Sequence, residues 1–153
     1  MGQGYSSELE SSIGHSFQDK KLFEEATSHD FKRLEHLGDA VIKFVVTNYL
    51  FLTYPSHTEG HLSKERDYLV NRNRQQEIAD LLQLDRFVKL HQSGVGRCDK
   101  LLEALIGAVY VDAGGEDGGG YVAAKKVIYK LWRFKGNEPV GHVRSYDSLV
   151  LLK

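Results

Sequence analysis

The sequence has little cysteine and proline and no long apolar run. Its 153 residues include a single cysteine, Cys98, and two prolines. One cysteine cannot form an internal disulfide or supply a zinc site with a second thiol, so we expect a reducing, intracellular compartment. No stretch is long and apolar enough to span a bilayer, and residues 1–12 lack the apolar segment of a secretory signal. We expect no membrane partner, and the cytoplasm, a mitochondrion and a chloroplast all fit this pattern.

The chain also lacks a net positive charge, since its formal charge at pH 7 is -1. An even spread of charge would disfavour nucleic-acid binding, because phosphate contacts supply most of the affinity in such complexes. The basic residues are instead concentrated in two segments. These segments are either solvated helix faces or surfaces that follow a phosphate backbone. The candidates for phosphate contact are Lys64, Arg66, Arg72, Arg74, Lys125 and Lys126.

The length and an apolar content of 41% predict one globular domain. Residues 1–7 are small and polar and are expected to form a disordered lead. Residues 8–132 carry helical periodicity and form the predicted domain. We expect residues 133–153 to form a C-terminal tail that is too short for a further domain.

Helix signals dominate the predicted domain, and no strand-rich region occurs. Residues 34–54 are apolar on nearly all sides and predict a central buried helix that Pro55 ends. Amphipathic patterns over residues 62–82 predict one or two further helices. Two more helices are predicted over residues 99–113 and 121–132, separated by glycines. The expected fold class is therefore all-α.

Glu35 and Asp39 are the first candidates for chemistry, because their spacing puts both carboxylates on one helix face. Like charges one turn apart repel each other, and a divalent metal between them removes the repulsion. The alternative is that Asp39 pairs with Lys43 and Glu35 with a nearby arginine. Spacing alone favours this alternative.

Glu103 is the second candidate, since it lies in an otherwise apolar helix where a carboxylate needs a partner. The small residues Ala104, Gly107 and Ala108 allow this helix to approach another backbone closely. Such an approach would bring Glu103 to the first two acids, and three carboxylates could hold a hard ion such as magnesium. The alternative is a glutamate placed near a helix start to suit the helix dipole.

Four blocks of sequence resemble the ribonuclease III family: RLEHLGDAVI at 33–42, EGHLS at 59–63, LVN at 69–71 and LLEALIGAVYVDAG at 101–114. Their order and approximate separation match the family's endonuclease domain. The resemblance covers about residues 8–132 and does not include a following double-stranded-RNA-binding domain. It implies an all-helical homodimer that cleaves double-stranded RNA with magnesium, for which manganese can substitute.

The resemblance also implies roles for individual acids. Asp39 and Glu103 match catalytic residues that hold the metal, and Glu35 matches an acid that shares it. Glu59 matches the acid that opens the second block. It is the weakest of the four, because a helix cap explains it equally well.

Lys100 departs from the family pattern, which has an aspartate three residues before Glu103. Asp99 is adjacent, but one step along a helix turns a side chain by about 100°. A lysine ammonium among the acids could neutralise them without any metal. The alternative function is therefore a catalytically impaired ribonuclease III-fold protein that acts in RNA binding, RNA processing or ribosome assembly.

His36 is a second departure, because the family usually has a bulky aromatic or aliphatic group there that helps dimer packing. A histidine can fill the same socket, so His36 remains a predicted dimer-interface residue. We expect its ionisable ring to make association sensitive to pH.

Overall fold

The structure is a computed structural model that describes residues 2–87 and 98–134, with side chains described from Ser7 onward. Seven α-helices and two short 3-10 turns account for nearly all of this part of the chain, which contains no strand. The predicted all-α class is confirmed. The helices are α1 (Gly2–Ile13), α2 (Lys20–Ala26), α3 (Lys32–Thr53), α4 (Glu59–Val70), α5 (Arg72–Leu81), α6 (Cys98–Asp112) and α7 (Gly120–Trp132).

Polar side chains set several helix starts. The Asp19 carboxylate accepts a hydrogen bond from the Lys21 N–H at 3.0 Å and caps α2. The Asn71 side chain accepts from the Arg74 N–H at 2.8 Å and caps α5. Because Asn71 has extended backbone dihedrals, the amphipathic segment after Pro55 forms two helices.

The first helix begins earlier than the sequence predicted. Its backbone is helical from Gly2, within the segment that was expected to be a disordered lead. Once a helix has nucleated, each added residue gains a hydrogen bond at little entropic cost, so a helix can extend into a polar segment. Small polar residues therefore do not mark a helix boundary here.

The centre of the fold is the crossing of α3 and α6, the most extensive helix contact in the described part of the chain. Residues 101–109 of α6 are buried on every side of the helix. Gly38 lies directly against the Glu103 carbonyl oxygen, and Gly107 lies against the Leu34 carbonyl oxygen. A Cβ atom at either glycine would overlap that backbone oxygen. The two backbones therefore touch beside Glu35, Asp39 and Glu103.

The remaining helices pack around this pair. Trp132 is fully buried, and its indole N–H donates to the Leu69 carbonyl at 2.8 Å, which fastens α7 to α4. Phe134 stacks on Tyr49 at 3.9 Å, so packing extends just past the predicted domain end at residue 132. The rest of the predicted tail and the glycine-containing loop at 93–96 lie outside the described residues. None of the described helices has both the length and the apolar character needed to cross a membrane.

Asp112 holds the loop between α1 and α2 against the end of α6. Its carboxylate accepts hydrogen bonds from the Gln18 and Asp19 N–H groups, and it pairs with His15 Nε2 at 2.8 Å. Burial acts to raise the pKa of Asp112, but these hydrogen bonds together hold the pKa below its ordinary value. This contact fixes the carboxyl end of α6.

Candidate active site

An open depression of about 310 Å³ lies between the first half of α3 and the first turns of α6. Its lining side chains are Lys32, Glu35, His36, Asp39, Lys100 and Glu103. Three of the four sequence-predicted acids are thus together. They meet because the α3–α6 crossing brings the two helix faces into contact.

Glu103 is the most buried of these acids, with 7% of its surface exposed. Burial, together with the nearby Asp39 and Glu35 carboxylates, raises the pKa of Glu103 to about 7. A hydrogen bond with Gln75 and the Lys100 charge oppose this rise. The charged form of Glu103 is therefore poorly accommodated by the protein alone, and a cation at this point would stabilise it.

Lys100 occupies the position that the family pattern gives to an aspartate, and its ammonium contacts the acids. Its Nζ atom lies 2.8 Å from Glu35 Oε2. The Glu35 side chain is 17% exposed and that of Lys100 is 40% exposed, so the pair is partly shielded from water. Glu35 therefore pairs with this lysine, in place of the arginine that the sequence suggested.

Asp39 also has a lysine partner, at the outer edge of the depression. Lys43 Nζ lies 3.2 Å from Asp39 Oδ2, one helical turn along α3, which is the local pair that spacing predicted. Both side chains are largely exposed, and ion pairs of this kind contribute only about 0.3–0.5 kcal/mol. Lys43 consequently competes only weakly with a metal ion for the Asp39 carboxylate.

The donor set is of the right kind for a hard divalent cation. Three carboxylates face one depression, and magnesium prefers such oxygen ligands together with water. In the described residues, no group of three or more His, Cys, Asp or Glu side chains is already arranged to hold a metal. The chemistry of the donor set therefore fits a divalent ion, with which Lys43 and Lys100 compete at Asp39 and Glu35.

Glu59 and Asp99 are not among the residues that line the depression. Glu59 is exposed in the first turn of α4, directly after the Thr58 side chain that caps this helix. Asp99 is 3% exposed and points elsewhere on α6, as its one-residue offset from Lys100 implies. Neither acid joins the other three within this chain.

Gln75 contacts the site although the sequence did not single it out. It is 3% exposed, its Nε2 donates to the Val70 carbonyl at 3.0 Å, and its side chain hydrogen-bonds with Glu103. The surrounding segment is rich in charge, which indicated a solvent-facing helix. The signal that could have found Gln75 is its i, i+3, i+4 spacing with Ile78 and Ala79, which are both buried.

The predicted RNA-contacting residues divide into two groups. Arg74 is 7% exposed and its Nη1 lies 2.7 Å from Glu77 Oε1, so it is not available to an RNA phosphate. The sequence placed Arg74 among the basic surface residues, but a basic segment wound into a helix turns some of its members inward. The other candidates, all exposed or partly exposed, are Lys64, Arg66, Arg72, Lys125 and Lys126.

An apolar surface lies on the outside of α3 and α7. Phe44, Phe51 and Val122 are 61%, 64% and 70% exposed, and we call these residues the α3–α7 face. Phe44 packs edge-on against Tyr121, with ring centroids 5.5 Å apart. His36 is exposed about two turns before Phe44 on α3 and also lines the depression. Exposed aromatic groups of this size are typical of association surfaces.

Comparison with known proteins agrees with this arrangement. A model of the ribonuclease III domain matches residues 32–114, which include Glu35, Asp39 and Glu103. Ribonuclease 3 of Ehrlichia chaffeensis is 34% identical over 140 residues, covering 78% of this chain and 59% of that protein. Ribonuclease 3 of Nitratiruptor is 39% identical over 122 residues, covering 70% of this chain and 54% of that protein. The chain thus spans a little over half the length of these relatives.

Solved structures show the same likeness. The nuclease domain of ribonuclease III from Campylobacter jejuni superposes with a TM-score of 0.72 at 34% identity, covering 81% of this chain and 93% of that one. That structure shows flexibility in the region of the Campylobacter jejuni nuclease domain that is involved in dimer formation. Dicer from Pichia stipitis superposes with a TM-score of 0.63 at 29% identity, covering 76% of this chain and 55% of that one.

Proposed function

This chain belongs to the ribonuclease III family, and we propose that it is an endoribonuclease that cleaves double-stranded RNA with a divalent metal ion. One observation carries the proposal: Glu35, Asp39 and Glu103 line a single depression at the α3–α6 crossing. Like charges brought together in this way are unfavourable for the fold alone. They suit metal-assisted phosphodiester cleavage, in which a cation stabilises charge at the scissile phosphate.

Asp39 on α3 and Glu103 on α6 are the proposed catalytic acids and would hold the ion, which Glu35 would share. When bound, magnesium, or manganese in its place, would supply activation of a water molecule and stabilisation of the leaving oxygen. Gln75 stabilises the charged form of Glu103 by its hydrogen bond. Glu59 remains the weakest predicted ligand, since it is exposed and does not line the depression.

The exposed basic residues of α4, α5 and α7 are proposed to contact RNA phosphates and 2′-hydroxyls, which would recognise the shape of the duplex more than its sequence. They are Lys64, Arg66, Arg72, Lys125 and Lys126. RNA binding through such contacts weakens as the salt concentration rises, because the release of counterions from the phosphates then gains less free energy.

We propose in addition that two copies associate through the α3–α7 face, with His36 at its edge. A homodimer places two acid clusters on one assembly, which suits cleavage of both strands of a duplex. The large exposed aromatic groups support this choice of surface.

Phe51→Asp is expected to weaken dimerisation at least roughly tenfold, because it places a charge in the centre of an apolar contact. Sedimentation velocity over a concentration series measures the dissociation constant, and circular dichroism checks that the helices persist. Leu81→Asp is the matched control, since Leu81 is 70% exposed on a different helix. A dimer that survives Phe51→Asp and is lost in Leu81→Asp would place the interface elsewhere.

The ion pair between Lys100 and Glu35 favours a second candidate function. If this ammonium offsets the charge of the acids in place of a metal ion, the protein binds RNA without cutting it and acts in RNA processing or ribosome assembly. Such a domain retains the fold and the basic surface.

One experiment separates the two functions. A labelled RNA duplex is incubated with magnesium or manganese and with wild-type protein, Lys100→Asp or Asp39→Asn. Wild-type cleavage that disappears in Asp39→Asn supports the endoribonuclease. Cleavage that occurs only in Lys100→Asp, or salt-dependent duplex binding with no cleavage by any variant, contradicts it and supports the second candidate.

A further inference from the structure

We propose that Lys100 supplies a fixed positive charge to the acid cluster, so that the depression takes up one divalent ion in place of two. Nucleases that act on phosphodiesters often use two such ions. The inference rests on the proposed function, because it concerns the metal that this function requires. It assigns a role to a residue that departs from the family pattern.

The position of Lys100 suits this role. It lies one turn before Glu103 on α6, and its ammonium reaches across the crossing to Glu35 on α3 at 2.8 Å. Its charge also favours the charged form of Glu103. A single ammonium thus acts on acids from both helices.

The formal charges point to one ion. Glu35, Asp39 and Glu103 carry three negative charges when ionised, and Lys100 offsets one of them. The two remaining charges match one divalent cation. A second divalent ion would leave the cluster positive, which is unfavourable in a partly buried site.

Lys43 and Lys32 are less suited to the same role. The Lys43 pair with Asp39 is exposed on both sides, so a divalent ion can displace it at little cost. Lys32 lines the depression but is itself exposed to solvent. Of the two lysine-bound carboxylates in the depression, Lys100 pairs with the less exposed one, with Glu35 at 17% against Asp39 at 41%.

The test is a manganese titration in which electron paramagnetic resonance counts the free ion, with no RNA present. Wild-type protein is expected to bind one Mn²⁺ per chain. Lys100→Met, which removes the charge without adding a ligand, is expected to bind the first ion roughly tenfold more tightly and to take up a second. Lys43→Met is the matched control and is expected to change the affinity less than about threefold.

Two Mn²⁺ per wild-type chain, no binding at all, or an unchanged affinity and stoichiometry in Lys100→Met would overturn the inference. An equal effect of Lys43→Met and Lys100→Met on Mn²⁺ binding would also overturn it, since the two lysines would then influence the ion alike. Lys100→Gln replaces Lys100→Met if circular dichroism shows that the methionine variant does not fold. A protein that binds two ions and cleaves RNA contradicts only this inference, whereas one that binds a single ion and cleaves no RNA contradicts only the proposed function.

Discussion

Gly38→Ala is expected to lower the free energy of unfolding by about 3 kcal/mol or more, although alanine is the better helix former. A Cβ atom at residue 38 would overlap the carbonyl oxygen of Glu103 on the facing helix. The obstacle is backbone, so it cannot rotate away as a side chain would. The two helices would have to separate, and the acids on them would separate as well.

Urea unfolding followed by circular dichroism measures this loss. Gly107→Ala is expected to behave in the same way, since its Cβ would overlap the Leu34 carbonyl oxygen. Gly60→Ala is the matched control, because nothing lies within 4 Å of a Cβ at that exposed position of α4. That variant should be neutral or stabilised by up to about 1 kcal/mol. A Gly38→Ala protein as stable as Gly60→Ala would show that α3 and α6 do not touch as described.

Glu103→Gln is expected to lower RNA cleavage at least roughly a hundredfold, because it removes a charged metal ligand and keeps the size of the side chain. In metal-free protein the same substitution should be stabilising at alkaline pH. The two effects have one cause. The charged Glu103 carboxylate is unfavourable in the metal-free fold, and it is a proposed ligand of the metal ion.

The direction of the pH effect follows from the pKa of Glu103, which rises from an ordinary 4.5 to about 7. Between these values the folded state binds more protons than the unfolded state, so the free energy of unfolding falls as pH rises. Above about pH 7 the free energy of unfolding has fallen by the full amount, and below about pH 4.5 it has not fallen at all. After allowance for partial hydration, we expect Glu103→Gln to gain about 2 kcal/mol at pH 8 relative to pH 5.

Urea unfolding in EDTA at pH 5 and pH 8 measures this gain for each protein. Glu24→Gln removes an exposed carboxylate from α2 and is the control for general charge effects. Magnesium should restore stability to the wild type at pH 8 and leave Glu103→Gln unchanged, since ligand binding stabilises only the state that binds it. Equal pH dependence in wild type and Glu103→Gln would contradict the raised pKa.

The local sequence pattern predicted the shared helix face of the acids better than it predicted their ion-pair partners. The four-residue spacing correctly gave Glu35 and Asp39 a common face and gave Asp39 its Lys43 partner. The partner of Glu35 was not predicted, because Lys100 lies 65 positions away in sequence and reaches it only across the α3–α6 crossing.

The local sequence pattern also did not predict which residues of a charged segment are buried. Arg74 and Gln75 lie in a segment rich in charge and amide groups, yet they are 7% and 3% exposed. Which side of such a helix faces inward depends on what packs against it. Here α5 packs on α6, so Gln75 turns toward Glu103, while Arg74 lies beside Leu131 and Arg133 near the end of α7.

The sequence by itself determined the helical class, most helix positions and the acids Glu35, Asp39 and Glu103, because helical periodicity and family blocks are local signals. The small residues of α6 also permitted a close approach to another backbone. Only the tertiary structure decided the register of that approach, with Gly38 on Glu103 and Gly107 on Leu34. This register depends on long-range contact between backbones, and it is what puts the three acids and Lys100 into one depression.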